Sequence, residues 1–127
     1  MSYLLDTHTF IWFLNGDKAL SARSRKAIEN AVESNLISIA SLWEIAIKIS
    51  LGKLELKRAF IELGNLITEN NFQVLPITFE DMLVLSTLPF HHRDPFDRML
   101  ISQSINNDLS LITKDPNFIM YDVNVIW

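Results

Sequence analysis

The chain has 127 residues, 49% of them hydrophobic and 20% charged, which is enough for a single core and too little for a second domain of any size. That composition excludes a disordered chain. Three glycines (Gly16, Gly52, Gly64) leave no glycine-rich dinucleotide or P-loop, and the absence of cysteine excludes disulfides, thiolate zinc sites and a cysteine nucleophile. Eleven Lys and Arg against 15 Asp and Glu give a net charge of -4, which argues against nucleic-acid binding over the whole surface but allows a local basic patch. No apolar run approaches the roughly 20 residues of a membrane span. The opening MSYLLD lacks the basic region of a signal peptide, so the expected location is the cytoplasm, without membrane attachment.

In chain order, Tyr3-Leu4-Leu5 signals a short buried strand stopped at Asp6, and the apolar, aromatic run Thr7 to Leu14 signals a helix closed by Asn15-Gly16. Ser21 to about Ser34 reads as a polar helix, and Leu36 to Ile39 as a second strand. Ser41 to Leu51 is a helix ended by Gly52, which suits a left-handed C-terminal cap. Arg58 to Asn70 is amphipathic, and Phe72 to Pro76 is a third strand. Thr78 with Glu80 and Asp81 starts a helix that Pro89 stops. Asp94-Pro95 starts the next, because aspartate suits the cap and proline the first turn; it runs to about Asn107. Ser110 to Thr113 is a fourth strand, Asp115-Pro116 opens a short helical turn, and Val123 to Ile126 is a last strand. Strands alternate with helices throughout. The expected architecture is one α/β domain over residues 1–127, a mostly parallel sheet of about five strands with helices on both faces.

In such sheets ligands bind beyond the carboxyl ends of the strands, where Asp6 and Asp115 fall. Each acid has an ordinary structural reading as well. Asp6, Asp94 and Asp115 suit helix caps, Asp97 suits a capping box, and Glu44 suits an exposed i, i+4 pair with Lys48. Glu44 is nevertheless unusual, because Ile39 to Ile49 is apolar nearly all round and its polar stripe is only Ser41, Glu44 and Lys48. If Asp6, Glu44, Asp97 and Asp115 converge on one rim, their mutual repulsion raises at least one pKa. A hard divalent cation, Mg²⁺ or Mn²⁺, removes that cost. With no cysteine and scattered histidines (His8, His91, His92), zinc is disfavoured. Metal-dependent phosphodiester hydrolysis is the chemistry such a cluster suits.

Four segments carry a resemblance: LLDTHTFIWFL (Leu4–Leu14), SLWEIAIKISLGKL (Ser41–Leu54), LPFHHRDPFDRMLISQS (Leu88–Ser104) and LITKDPNF (Leu111–Phe118). In that order they resemble the PIN-domain ribonucleases, above all the VapC-type toxins of toxin–antitoxin modules, over essentially the whole chain. The resemblance implies a PIN-like fold and Mg²⁺- or Mn²⁺-dependent endoribonuclease activity. It implies catalytic, metal-holding roles for Asp6, Glu44, Asp97 and Asp115. Asp94 is a possible additional acid, assigned mainly to capping. It further implies a cognate antitoxin whose C-terminal segment covers the active-site groove, and a homodimer.

For an RNA substrate, the candidate contacts are Arg93, Arg98, Lys48 and Lys114, with His91 and His92 adding to the patch. Trp12, Phe13 and Trp43 suit core or antitoxin contacts better than base stacking. Ser41 is a candidate for orienting Glu44, and Thr7 and Thr113 for similar roles. Three rival readings stand beside the nuclease. A receiver-like phosphoacceptor would carry an acidic pair after strand one, whereas here Asp6 stands alone. A haloacid-dehalogenase-type phosphatase would need an aspartate where His8 stands. A PIN-fold scaffold that binds partners without cleaving would suit a chain that had lost Asp6 or Asp97, and both are present.

Overall fold

The computed structural model describes residues 2–127. Five strands, β1 (Tyr3–Leu5), β2 (Asn35–Ser38), β3 (Phe72–Leu75), β4 (Ser110–Ile112) and β5 (Asn124–Ile126), form one sheet in the order β3-β2-β1-β4-β5. Every neighbouring pair is parallel, because each connection carries helical structure that returns the chain to the same end of the sheet. Six α-helices complete the domain: α1 (Thr7–Asn15), α2 (Ala22–Glu29), α3 (Ile39–Ser50), α4 (Leu63–Glu69), α5 (Phe79–Ser86) and α6 (Pro95–Asn107). Short 3-10 turns at Phe60–Glu62 and Pro116–Met120 precede α4 and β5. None of the described helices is long and apolar enough to cross a membrane.

The central strand β1 divides the interior. Leu4 pairs in register with Leu36 and Leu111, and Leu5 with Ile37 and Ile112; strand side chains alternate, so the two leucines serve opposite faces. Leu5 joins Phe10, Ile28, Ile45, Ile67 and Phe72 in one core, whereas Leu4 joins Leu100, Ile101, Leu111, Phe118 and Tyr121 in the other. Helices therefore cover both faces, as the alternating pattern predicts. Both leucines are fully buried, and removing either side chain should cost about 2–5 kcal/mol.

Strand order also decides where a ligand can sit. The chain moves outward from β1 through β2 to β3, then returns to the other flank of β1 as β4. The crevice beyond the β1 and β4 carboxyl ends is thus the topological switch point, and Asp6 and Asp115 are the acids that follow those two strands.

Some boundaries differ from the sequence pattern, each for a local reason. α2 stops at Glu29, short of Ser34, because Asn35 enters β2 and its side chain donates to the Ile28 carbonyl at 2.9 Å. β2 ends at Ser38 rather than Ile39, since the Ser38 hydroxyl accepts from the Ala40 N–H at 3.0 Å and caps α3. The amphipathic stretch from Arg58 becomes α-helix only at Leu63, after a 3-10 turn whose start has no side-chain cap. Gly16 (φ 63°) and Gly52 (φ 68°) adopt the left-handed conformation that ends α1 and α3 as expected.

Candidate metal centre

Asp6 leaves β1 in extended conformation and begins α1. One carboxylate oxygen accepts the Thr9 N–H at 2.9 Å and the other accepts the Thr113 hydroxyl at 2.5 Å. The cap reading is therefore correct but incomplete, since a capping aspartate does not need to be buried, and Asp6 is 7% exposed. Burial raises its pKa above the ordinary 3.8, outweighing the hydrogen bonds from Thr113 and Thr9 that lower it. Thr113 also accepts the Asp115 N–H at 3.1 Å, so one hydroxyl ties the acid after β1 to the acid after β4.

Glu44 projects from α3 and is buried at 5% exposure. Its Oε1 accepts the Thr7 hydroxyl at 2.7 Å, and its Oε2 pairs with Lys48 Nζ at 2.8 Å. Thr7 Oγ1 also lies 2.9 Å from the Ser41 Oγ. A hydroxyl has one proton, so with Thr7 donating to Glu44, Ser41 donates to Thr7. The i, i+4 pair with Lys48 is real, but only the lysine end reaches water.

At the start of α6, Asp94 is the cap: its Oδ1 accepts the Asp97 N–H at 2.9 Å. Asp97 does not complete a capping box. Its carboxylate turns instead to His92, Nε2 to Oδ2 at 2.9 Å, and the same Nε2 lies 3.3 Å from Asp115 Oδ2. Partial burial, together with the neighbouring Asp94, Asp6 and Glu44 carboxylates, pushes the Asp97 carboxyl up to about 7, with His92 opposing. Asp115 caps the turn after β4, accepting the Asn117 N–H at 2.9 Å.

Asp6, Asp97 and Asp115 line one open cleft of about 420 Å³ with His8, Trp12, Lys114 and Pro116. At about 30 Å³ per water, such a space admits a hydrated cation and a phosphate group. Glu44 stands behind this wall, close enough to raise the Asp97 pKa. The donor set suits a hard divalent cation, since every acid offers oxygen and each engaged oxygen keeps a lone pair. Among the described residues, the one group of three ligating side chains whose atoms lie within 4.8 Å of each other is His92, Asp97 and Asp115.

The basic candidates separate. Lys114 is exposed and lines the acidic cleft, whereas Lys48 is engaged with Glu44. Arg93 is exposed but lines a different hollow, beside Leu85, Phe90 and Pro95. Arg98 is not a surface cation at all. It is 6% exposed and donates to the carbonyls of Pro89 (2.8 Å), Leu88 (3.2 Å) and His92 (3.3 Å), with Phe90 stacked 4.0 Å from its guanidinium carbon. The expectation that it contacts RNA is corrected accordingly: its donors are spent on suturing the Leu88–His92 loop to α6.

Of the aromatic residues, Trp12 packs edge-on to Trp127 at 6.0 Å and still lines the cleft, and Phe13 packs on Phe72. Trp43 is 60% exposed and rests on Phe96. The residue that sequence reasoning missed is His92, taken only as part of a basic patch and found between two of the acids. Its position depends on Tyr121, whose hydroxyl accepts the His92 N–H at 2.8 Å from 29 residues away, and no local pattern reports that.

Residues 3–124 match the PIN domain family. Among solved structures, the fold is similar to that of a chain in VapBC2 from Rickettsia felis bound to a DNA fragment from their promoter (TM-score 0.74, 15% identity, 100% of this chain and 99% of that one). It is also similar to FitAcB from Neisseria gonorrhoeae (0.71, 17%, 98% and 96%) and to VapBC-1 from nontypeable Haemophilus influenzae (0.71, 19%, 99% and 97%). No curated protein matches the chain. The family match spans nearly the whole sequence and agrees with the wholly parallel sheet and its acidic switch point: this chain belongs to the PIN-domain family.

Proposed function

We propose that this protein is a metal-dependent endoribonuclease, the toxin of a VapBC-type toxin–antitoxin pair. The observation that carries the reading is the convergence of Asp6, Asp97 and Asp115, each from a different element, on one cleft at the β1/β4 switch point. Asp6, Asp97 and Asp115 would hold Mg²⁺ or Mn²⁺, with Glu44 behind them adding negative potential. Such an ion, when bound, supplies attraction for the phosphodiester and a water acidified enough to attack it.

The remaining work falls to the chain. Thr9 and Thr113 fix the orientation of Asp6, Thr7 fixes that of Glu44, and Lys48 offsets part of the Glu44 charge. Asp97, its carboxyl pushed up to about 7, would release its proton on holding a divalent cation. Lys114 at the rim draws in the RNA backbone, and the tilted ring pair of Trp12 and His8 forms an aromatic wall beside the acids. Asp94 remains a cap. The antitoxin's C-terminal segment is expected over the acidic cleft lined by Asp6, Asp97, Asp115 and Trp12. A homodimer would cover Trp43, Phe79, Met82 and Leu83, which are between 50% and 70% exposed. The cytoplasm, where RNA substrate and antitoxin meet, is the proposed location.

The test is cleavage of single-stranded RNA with Mn²⁺, with EDTA, and with Asp6→Asn and Asp97→Asn. Wild type should cut only with metal, and each variant should lose about 100-fold or more while remaining folded. Wild type that binds Mn²⁺ and RNA yet leaves the RNA intact would favour the non-catalytic scaffold.

A further inference from the structure

His92, Asp97 and Asp115 look superficially like a metal triad. The surroundings of the imidazole argue otherwise. The Asp94 backbone N–H donates to His92 Nδ1 at 3.2 Å, so Nδ1 carries a lone pair and the proton of the neutral ring sits on Nε2. That proton points at Asp97 Oδ2 (2.9 Å) and Asp115 Oδ2 (3.3 Å). A metal on Nε2 would need the lone pair there, which moves the proton to Nδ1 and sets two N–H groups face to face.

The ring is not free to escape that conflict. The His92 N–H is held by the Tyr121 hydroxyl at 2.8 Å, its carbonyl accepts from Arg98 at 3.3 Å, and its ring packs edge-on to Phe118 at 6.1 Å. Arg98 and Tyr121 are both buried. Backbone and ring are thereby fixed on three sides, and the fourth presents one N–H to two carboxylates.

We infer that His92 is a positioning residue: held as the Nε2–H tautomer by the Asp94 backbone N–H, it bridges Asp97 and Asp115 as a hydrogen-bond donor and is not itself a metal ligand. The donor occupies one lone pair on each acid and sets the spacing of the two carboxylates, leaving their other lone pairs for the cleft. The metal-related part of this inference rests on the nuclease reading, whereas the tautomer does not.

The tautomer is read directly from the two-bond ¹H–¹⁵N correlation spectrum of ¹⁵N-histidine-labelled protein, with the His92 signals identified by their loss in His92→Gln. The expected spectrum has Nδ1 unprotonated and Nε2 protonated without metal, and keeps that pattern under saturating Mg²⁺. An Nδ1–H tautomer without metal, or a switch to it on adding Mg²⁺, would overturn the inference while leaving the nuclease reading intact. Mn²⁺ calorimetry supplies the second readout. His92→Gln, which keeps a donor, should bind within about threefold of wild type, and His92→Leu about tenfold or more weaker, the size of loss typical for outer-sphere partners. Equal affinity in all three proteins would also overturn it. If wild type binds no Mn²⁺, the nuclease reading fails instead, and the metal-free spectrum alone decides whether His92 bridges the acids.

Discussion

The starts of α5 and α6 are built from the same parts and do opposite things. Each has a capping residue (Thr78, Asp94) followed three positions later by an aspartate (Asp81, Asp97). At α5 the pattern closes on itself: Asp81 accepts the Thr78 N–H at 2.9 Å, completes a capping box, and takes donors from Asn106 at 2.9 Å and Asn107 at 3.5 Å. It is 1% exposed and satisfied. At α6 the corresponding backbone N–H, that of Asp94, goes to His92, so Asp97 is released from capping and left among other acids. An aspartate with donors on every side is structure. One left with a single histidine donor and crowded by carboxylates is a group whose charge a cation would relieve.

The largest effect on stability is expected from the residue that makes this release possible. Arg98 donates to Leu88, Pro89 and His92 and so holds the loop that carries His92. Arg98→Met should strand three carbonyl acceptors and cost about 3 kcal/mol. At roughly 4 °C per kcal/mol for a domain of this size, melting should fall by about 12 °C. A variant melting within 2 °C of wild type would mean that the loop is held by something else, and the surface reading of Arg98 would return.

Asp81→Ala comes next, as the control on the closed arrangement. It removes the capping box and leaves Thr78, Asn106 and Asn107 short of an acceptor, an expected loss of about 2 kcal/mol. The rise in melting temperature on adding Mn²⁺ should match that of wild type. A reduced Mn²⁺ response would show that the two helix starts are not independent.

Asp97→Asn should do the reverse, raising metal-free stability and abolishing the response to Mn²⁺. The sign follows from the carboxyl being pushed from 3.8 to about 7. Between those values the folded chain holds more protons than the unfolded one, so wild-type stability falls as pH rises through that window. Asparagine does not titrate. The variant should therefore melt close to wild type near pH 4 and higher above pH 7, by on the order of 1 kcal/mol. Saturating Mn²⁺, at about 100 times its Kd, should stabilise wild type alone by about 2.7 kcal/mol. Parallel pH curves for the two proteins would remove Asp97 from the repelling cluster.

How much of this was legible in the sequence follows the range of the interactions involved. Asp6 at a strand end, Asp94 before Pro95 and Gly52 after α3 are local grammar, and they stand where the pattern puts them. The parallel sheet follows from strand–helix alternation, as does the placing of Asp6 and Asp115 beyond the carboxyl ends of strands, but that those two strands are neighbours does not. Arg98 and His92 were misread because their partners are tertiary. Arg98 falls beside Asp97 in a polar-looking RDPFDR run, and nothing local says that the Leu88–His92 loop folds back over it. The partners of His92 include Tyr121 and Asp115, more than 20 residues away. Glu44 lies between these cases. Its apolar helix announces burial, but only the structure shows that Thr7, rather than Ser41, donates to it directly.

Glu44 also gives the smallest and most discriminating prediction. Its partner Lys48 is a half-exposed cation on a buried carboxylate, so the pair contributes little to folding, and Lys48→Met should lower stability by less than about 1 kcal/mol. The effect on the site should have the opposite sign. Lys48 offsets part of the negative potential that Glu44 adds behind Asp97, and removing it should tighten Mn²⁺ binding by about two- to threefold at low salt, less as ionic strength screens the charge. Weaker Mn²⁺ binding would mean that Lys48 acts by holding Glu44 in place, so that Glu44 belongs with Asp81 among the acids whose orientation matters more than their charge.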